Sequence, residues 1–242
     1  MMRELITRYG RRGLGFVWLI GEPLLFCLGV LVLWSVIRPE YEHGVRLGPF
    51  VMTGYMALLL FRHQIGFSLA ALQSNIGLLH HRSVTALHIY ASRNLLEFLG
   101  ATGAFVVVYA ILLALGQVGL PQDWLLLYGG WLLLGLMGMG LALTLSGLAV
   151  RFEIMERIVP LLTYALIPLS GVFFMADWLP PAYREMFLLI PLPHPVEMIR
   201  AGVFGEFVAT HYDPVYALGW CGILNLIGLA LLNGAKDRVD AE

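Results

Sequence analysis

The sequence has very little charge, and only one of its 15 basic residues, Lys236, is a lysine. Charged residues make up 13% of the 242 residues and hydrophobic residues 59%, with a mean hydropathy of +0.80. A soluble domain usually has about 25% charged residues, so this chain could not cover a globular surface with polar groups. Its net charge of −1 also lacks the basic excess that nucleic-acid binding needs. The composition therefore disfavours a soluble enzyme and a nucleic-acid binder, and indicates a polytopic membrane protein.

Motifs for catalysis and for metal binding are also missing. The chain has no phosphate-binding loop of the GxxxxGK[ST] type and no HExxH motif. The two cysteines, Cys27 and Cys221, lie in separate apolar runs, and we interpret them as packing residues. His80, His81 and His88 have no carboxylate or cysteine at ligand spacing, which favours a solvated loop over a metal site. We therefore predict no catalytic residue, no metal site and no cofactor bound by this chain.

Six apolar segments are the main positive signal. A transmembrane helix needs about 20 apolar residues, and six would use roughly half of the chain. We predict an all-α membrane protein with one transmembrane domain over residues 1–242 and both termini on the same side. The predicted spans are about Trp18–Ile37, Gly48–Leu69, Leu95–Leu115, Trp124–Val150, a fifth that begins near Ile158, and about Val215–Leu232.

The segment before the first span, residues 1–16, has a different pattern. Apolar residues recur at helical spacing, while Arg3, Arg8, Arg11 and Arg12 fall mostly on the other side. Such a pattern is typical of an amphipathic helix that lies in the lipid headgroup layer with its arginines toward anionic lipid.

The basic residues also predict the orientation of the chain. With six spans, eleven of them lie on the side of the termini and four on the other. Because cytoplasmic loops are enriched in lysine and arginine, we expect both termini in the cytoplasm. The eleven are Arg3, Arg8, Arg11, Arg12, Arg62, Arg82, Arg93, Arg151, Arg157, Lys236 and Arg238; the four are Arg38, Arg46, Arg184 and Arg200.

A proline-rich stretch separates the fifth and sixth spans. Seven of the twelve prolines lie between Pro160 and Pro195, and the apolar run Met186–Leu192 is too short to cross a membrane. We predict that residues 177–212 form a re-entrant helical hairpin at the outer face. Irregular backbone at membrane depth must be covered by protein or line a wet cavity, so this hairpin is a candidate pore lid. The alternative is a proline-rich loop that only packs.

Three further features each allow two interpretations. Glu22 precedes Pro23 and either caps a helix that begins there or pairs with a nearby arginine. Small residues at Gly138, Ala142 and Ser146 favour close helix packing, either within the chain or between subunits. The interfacial aromatic belt explains most of the aromatics, and a minority facing inward would suit a sugar path. These aromatics are Trp18, Trp34, Tyr55, Tyr128, Trp131, Phe173, Phe174, Trp178 and Trp220.

Several segments resemble one known family. The sequence RYGRRGLGFVWLIGEPLL at residues 8–25 is similar to the N-terminal signature of type-2 ABC exporter permeases for cell-surface polysaccharides. Thr53-Gly54-Tyr55 and the segments at 79–84, 92–97 and 100–102 narrow the resemblance to the permeases of Gram-negative group 2 capsular polysaccharide export. The motif PxPHPxExxR at residues 191–200 matches the wider family, so the resemblance spans nearly the whole chain.

The resemblance implies partners and a cargo. In this family the permease is a homodimer bound to two copies of a separate ABC ATPase, which uses ATP and Mg. The cargo would be an acidic polysaccharide on a phospholipid anchor. A periplasmic co-polymerase-type adaptor and an outer-membrane polysaccharide export protein would carry it onward from the inner membrane.

The resemblance also implies three groups of site residues. Substrate would enter near Arg8, Arg11, Arg12, Trp18 and Glu22. The ATPase would dock on a coupling helix at about residues 74–88, with contacts from Asn75, Leu78, Leu79, His81, Arg82 and Val84. The hairpin would form the periplasmic gate, with Phe173, Phe174, Trp178, Pro180, Pro181, His194, Glu197 and Arg200.

Two other functions compete with this one. A permease of the same fold could carry lipid-linked O antigen or teichoic acid, although the segment at 79–102 favours capsule. A six-span intramembrane protease or lipid transferase would need a catalytic pair at one depth, and the sequence offers none that we recognise.

Overall fold

The computed structural model describes residues 15–39, 41–42, 44–69, 71, 75 and 85–233, and within them it is almost entirely helical. A two-residue antiparallel hairpin, β1 (Tyr41–Glu42) and β2 (Val45–Arg46), joins the first two helices. Two short 3-10 turns, Ala176–Trp178 and Gly205–Phe207, lie before and after the two shortest helices of the described chain. The helices are α1 (Gly15–Ile37), α2 (Leu47–Leu69), α3 (Ala86–Ala114), α4 (Trp124–Ala149), α5 (Ile154–Leu169), α6 (Pro181–Leu188), α7 (Pro193–Phe204) and α8 (Pro214–Leu232).

The prediction of an all-α membrane protein is confirmed. In the described part of the chain, α1, α3, α4 and α8 are long and apolar enough to cross a membrane. The pair α6 and α7 would add a fifth crossing if it is one broken span, and it is bent by 111°. Four or five crossings therefore follow from length and composition.

Helix α2 is the centre of the bundle, although it is not among the four most apolar helices. It packs against α1, α3, α4, α5 and α7, and 17 of its 23 residues are buried. It also carries the polar run Arg62-His63-Gln64 toward its C-terminal end. A helix enclosed by other helices does not need to present apolar side chains to lipid, and this explains its moderate hydropathy.

Helix α4 makes the closest contacts inside the bundle through its small residues. A Cβ atom added at Gly130 would lie 2.8 Å from the carbonyl oxygen of Pro195 in α7, and one at Gly140 would lie 2.9 Å from the backbone nitrogen of Asn225 in α8. In the predicted small-residue row, Gly138 meets Gln64 of α2, and Ala142 and Ser146 are buried. The row is therefore used for packing within the chain.

Helix α3 begins at Ala86, well before the predicted start of this span at Leu95. Thr85 forms a capping box with His88: the backbone N–H of His88 donates to the Thr85 hydroxyl, and the backbone N–H of Thr85 donates to Nδ1 of His88. The prediction that His88 lies in a solvated loop is therefore wrong, because its ring satisfies a free donor at the helix start. His80 and His81 lie outside the described residues.

Helices α1 and α5 are the least enclosed of the longer helices. In α1, only Leu19, Pro23 and Cys27 are buried among the residues whose side chains are described, and in α5 only Val159 and Thr163. Each set recurs every four residues, so each helix uses a single narrow stripe to pack on the bundle. Much of the remaining surface of α1 and α5 is apolar and exposed, as at Leu25 and Leu161.

Candidate functional site

The first candidate region is the short helix pair α6 and α7, which follows α5. All residues of α7 from Pro193 to Val203 are buried, against α4, α2 and α8. Pro181 begins α6 and Pro193 begins α7, positions where a missing N–H costs nothing. The structure brings the eight predicted gate residues together in this helix pair and in the loop that precedes it.

A buried ion pair fixes the preceding loop to α7. Arg200 is fully buried, and its Nη1 donates to Glu197 Oε1 at 3.1 Å and to the carbonyl oxygen of Phe174 at 3.0 Å. Glu197 in turn accepts from the backbone N–H groups of Ala176 at 3.4 Å and His211 at 3.3 Å. Because a buried charge is tolerable only when it is paired and hydrogen-bonded, this network holds both flanking loops in one arrangement.

Gly54 of α2 allows this network to approach the central helix. A Cβ atom at this position would lie 2.9 Å from the carbonyl oxygen of Val172 and 3.3 Å from Nη2 of Arg200. The neighbouring Thr53 bonds back to the carbonyl oxygen of Pro49 at 2.9 Å. The segment Thr53-Gly54-Tyr55 thus includes a point where only a residue without a side chain fits between α2 and the loop that joins α5 to α6.

An aromatic cluster lies beside Gly54. It consists of Phe26 and Trp34 of α1, Tyr55 of α2, and Phe173 of the loop that joins α5 to α6. The Trp34 ring stacks on Phe173 with centroids 6.0 Å apart, and Tyr55 meets both rings edge-on. The guanidinium of Arg38 lies 4.3 Å from the centre of the Trp34 ring. Flat ring faces of this kind can pack against the apolar face of a sugar.

The rest of the predicted gate residues make contacts within the helix pair and with the helices beside it. Phe174 packs on Phe187 of α6, with centroids 5.1 Å apart, and Trp178 stacks on Phe50 of α2 at 5.0 Å. His194 Nδ1 accepts from the backbone N–H of Asp213 at 2.9 Å. Its Nε2 therefore carries the proton and donates to the carbonyl oxygen of Leu188, also at 2.9 Å. Pro180 precedes α6 in an extended conformation.

An exposed polar cluster connects the loop before α6, α6 itself and the loop after α7. Asp177 Oδ1 lies 3.0 Å from Nε2 of His211 and 3.5 Å from Nη1 of Arg184. All three side chains are partly exposed to solvent. An exposed cluster of this kind contributes much less to stability than the buried pair of Glu197 and Arg200.

The second candidate region is a cleft of about 390 Å³ between α1, α2 and α5. Two basic residues of α2 line it. Arg62 has its guanidinium carbon 4.9 Å from the centre of the Tyr164 ring of α5, and His63 has Nδ1 3.6 Å from Oε2 of the buried Glu97. The other lining residues are Glu22, Phe26, Leu59, Gly66, Phe67, Leu69, Val159, Pro160 and Thr163.

Sequence reasoning identified this cleft only in part. Glu22 was predicted at the substrate entrance and lies in the cleft wall, whereas Trp18 lies on the exposed surface of α1. The prediction that Glu22 caps a helix at Pro23 is wrong, because α1 already begins at Gly15 and Pro23 lies inside it. In the sequence, Arg62 was used only as one of the basic residues that predict orientation. Its position at the end of a long apolar run was the signal that could have indicated a binding residue.

Several predicted residues lie outside the described part of the chain. They are Arg8, Arg11 and Arg12 of the predicted entrance, and Leu78, Leu79, His81, Arg82 and Val84 of the predicted coupling helix. Within the described ranges, Asn75 is buried and its Nδ2 donates to the carbonyl oxygen of Ala71 at 3.0 Å. The predicted coupling segment ends inside α3, because residues 86–88 form its first turn.

The structure thus defines a helical membrane protein in which a cleft lined by Arg62 and His63, and a short helix pair anchored by Arg200, both contact the central helix α2. The chain belongs to the ABC-2 type transporter family, and the sequence pattern of that family matches residues 1–204. The predicted resemblance to ABC exporter permeases is thereby confirmed.

Three relatives match the chain over almost its full length. It is 38% identical to the capsule polysaccharide export inner-membrane protein CtrC of Neisseria meningitidis serogroup B, over 100% of this chain and 91% of the relative. It is 34% identical to the capsule polysaccharide export inner-membrane protein BexB of Haemophilus influenzae, with the same coverage. It is 26% identical to the polysialic acid transport protein KpsM of Escherichia coli, over 98% of this chain and 92% of the relative.

Proposed function

We propose that this chain is the transmembrane subunit of an ATP-driven exporter that moves lipid-linked capsular polysaccharide from the cytoplasm to the periplasm. The observation that carries the proposal is the 38% identity, over the whole chain, to a capsule polysaccharide export inner-membrane protein. The names of the relatives favour capsule over O antigen or teichoic acid as the cargo. The ATPase activity would belong to a separate ABC subunit, which uses ATP and Mg.

The proposed topology has six crossings with both termini in the cytoplasm. At 1.5 Å per residue, α2 is about 34 Å long and spans the hydrocarbon core, and its burial explains its moderate hydropathy. Helix α5 has 16 residues, about 24 Å, and needs the following loop to complete the crossing. The helix pair α6 and α7 is then the re-entrant hairpin, residues 177–212, on the periplasmic side. The excess of basic residues on the side of the termini supports this orientation.

A second copy of the chain would complete the passage. A polysaccharide is too polar for hydrocarbon, so its path must be enclosed by protein and water. Helices α1 and α5 border the cleft and leave their apolar outer surfaces uncovered, as at Val32 and Leu161. We infer that these surfaces face the second subunit, which makes the path a space between two copies.

The path would run from the cleft past the aromatic cluster to the hairpin. Trp34, Tyr55 and Phe173 offer ring faces on which successive sugars can stack without tight binding. The hairpin would act as the periplasmic gate. The exported chain would then pass to the periplasmic co-polymerase-type adaptor and the outer-membrane polysaccharide export protein.

At the cytoplasmic side, the amphipathic segment and the coupling segment would act together. Arg8, Arg11 and Arg12 would hold the anionic lipid or the first acidic sugars near the cleft. The segment of residues 74–88 would dock into the ATPase, and ATP-driven closure would bias the permease between two states. The expected ATPase contacts are Asn75, Leu78, Leu79, His81, Arg82 and Val84.

The direct test uses a Gram-negative strain whose own capsule permease gene has been deleted. Expression of this chain, together with its ATPase, should restore surface capsule, measured by capsule-specific antibody on intact cells. Neutral substitution of Arg8, Arg11 and Arg12 together should lower surface capsule and leave ATPase binding unchanged. A proline at Leu78 should uncouple the ATPase. Lipid-linked glycan that remains in the cytoplasm while this chain is well expressed would contradict the proposal.

A further inference from the structure

We propose that Arg62 forms an anion-binding subsite in the cleft between α1, α2 and α5. The subsite would take an oxyanion, a phosphate or a carboxylate, that is attached either to a membrane lipid or to the exported glycan. This inference rests on the proposed function, because it names the chemical group of the cargo that the cleft recognises.

The position of Arg62 is costly without a ligand. It lies in the last two turns of the central helix, and the walls around it include the apolar residues Phe26, Leu59 and Val159. A charged side chain in such a setting is rarely kept without a partner. Arg62 forms no ion pair with any residue that the structure describes, and its recorded contact is the ring of Tyr164.

The contact with Tyr164 orients the guanidinium rather than neutralising it. Arginine carries five N–H donors in one plane and can stack on a ring while those donors remain available. An oxyanion that enters the cleft can therefore accept two parallel hydrogen bonds from Arg62, the geometry that arginine and phosphate favour. Tyr164 belongs to α5, so movement of this loosely packed helix would change the position of the guanidinium.

Besides Arg62 and Tyr164, two titratable side chains line the cleft. His63 is directed toward Glu97, with 3.6 Å between Nδ1 and Oε2. Glu22 lies in the wall formed by α1 and is an acid in the same space. Its negative charge would weaken the binding of an anion at Arg62. A subsite for a moving cargo needs that property, because binding must be strong enough for capture and weak enough for release.

Arg200 provides an internal comparison. It is another arginine of the helical bundle, but it is fully buried and donates to Glu197 and to the carbonyl oxygen of Phe174. Its charge and its two Nη groups are used by the fold. Arg62 is only partly buried and faces a cleft, so its donors are available to a ligand.

The test measures binding of fluorescent lysophosphatidylglycerol, and of an uncharged monoacylglycerol with the same acyl chain and fluorophore, to the full chain purified with its ATPase. Wild-type protein should bind the anionic probe more tightly than the uncharged one. Arg62→Gln should weaken the anionic probe about tenfold, the equivalent of about 1.4 kcal/mol, and leave the uncharged probe unchanged. Arg62→Lys should retain most of the preference. Arg151→Gln is the matched control, because Arg151 is exposed, follows the end of α4 and does not line the cleft.

Competition then distinguishes the source of the oxyanion. If a soluble acidic oligosaccharide displaces the anionic probe in wild-type protein but not in Arg62→Gln, the glycan supplies the group. If only anionic lipids compete, the lipid phosphate supplies it. Either result supports the subsite.

The inference is overturned if Arg62→Gln and wild type bind the anionic probe equally, or if Arg151→Gln loses as much. Equal affinity of wild-type protein for the two probes would also overturn it, and this measurement does not depend on any variant being folded. Capsule export by the wild-type chain is measured in parallel. If export is restored and the binding prediction fails, the subsite is wrong and the proposed function stands; if export is not restored, the proposed function itself is wrong.

Discussion

Replacement of Arg200 by methionine tests whether the buried ion pair of Arg200 and Glu197 holds the loop that joins α5 to α6. Methionine fills much of the same volume but has no donors. The variant leaves the carboxylate of Glu197 buried without its cation, and the carbonyl oxygen of Phe174 without its 3.0 Å donor. Removal of one partner from a buried pair costs about 3–5 kcal/mol. We therefore expect a loss of this size in the free energy of unfolding.

The matched control is Arg184→Met in the exposed cluster. Arg184 is 28% exposed and its partner Asp177 is 41% exposed, with 3.5 Å between Nη1 and Oδ1. An exposed pair is worth about 0–1 kcal/mol. The two arginines lie in the same helix pair and both contact a carboxylate, so burial is the main difference between them.

Both variants are compared by unfolding in mixed micelles of dodecylmaltoside and SDS, followed by tryptophan fluorescence. The double variant Arg200→Met with Glu197→Gln removes both charges and should be more stable than Arg200→Met alone. Losses for Arg200→Met and Arg184→Met that agree within about 1 kcal/mol would refute the reasoning, since burial would then have no energetic consequence.

Two other substitutions test the contacts beside this network. Gly54→Ala should destabilise the protein by about 1–3 kcal/mol, because its new methyl group would lie 2.9 Å from a loop carbonyl oxygen. Gly222→Ala has open space and should be neutral or slightly stabilising in the same unfolding assay. Trp34→Ala should lower capsule export with ATPase binding unchanged, whereas Trp124→Ala, an exposed residue at the start of α4, should not. Equal export by the two tryptophan variants would argue against the aromatic path.

Two of the long apolar helices, α4 and α8, could be predicted closely from the sequence. The predicted bounds of α4 and α8 differ from the observed ones by a single residue at an end, because hydropathy changes sharply at Trp124 and at Pro214. The bounds of α2 were also predicted from its apolar run. Its central position was not, because that position is defined by contacts with α1, α3, α4, α5 and α7 that come from distant parts of the sequence.

The sequence predictions that were wrong or incomplete depend on specific side-chain contacts. The average hydropathy of a segment does not report such contacts. The early start of α3 comes from the reciprocal bonds of Thr85 and His88. Pro23 lies inside α1, where a helix in a bundle can tolerate proline. Arg62 was counted only as a topology signal, and its position in the cleft depends on how α5 packs against α2. Such contacts between distant segments cannot be read from spacing along one helix.

The most direct test of the central claim, that this chain provides a passage and a partner provides the energy, is purification of the tagged chain from its native membrane. We predict that an ABC ATPase with a phosphate-binding loop co-purifies in equal amounts, and that the complex moves lipid-linked glycan across vesicle membranes only when ATP is hydrolysed. Movement of the glycan by the chain alone, without ATP, would contradict the account.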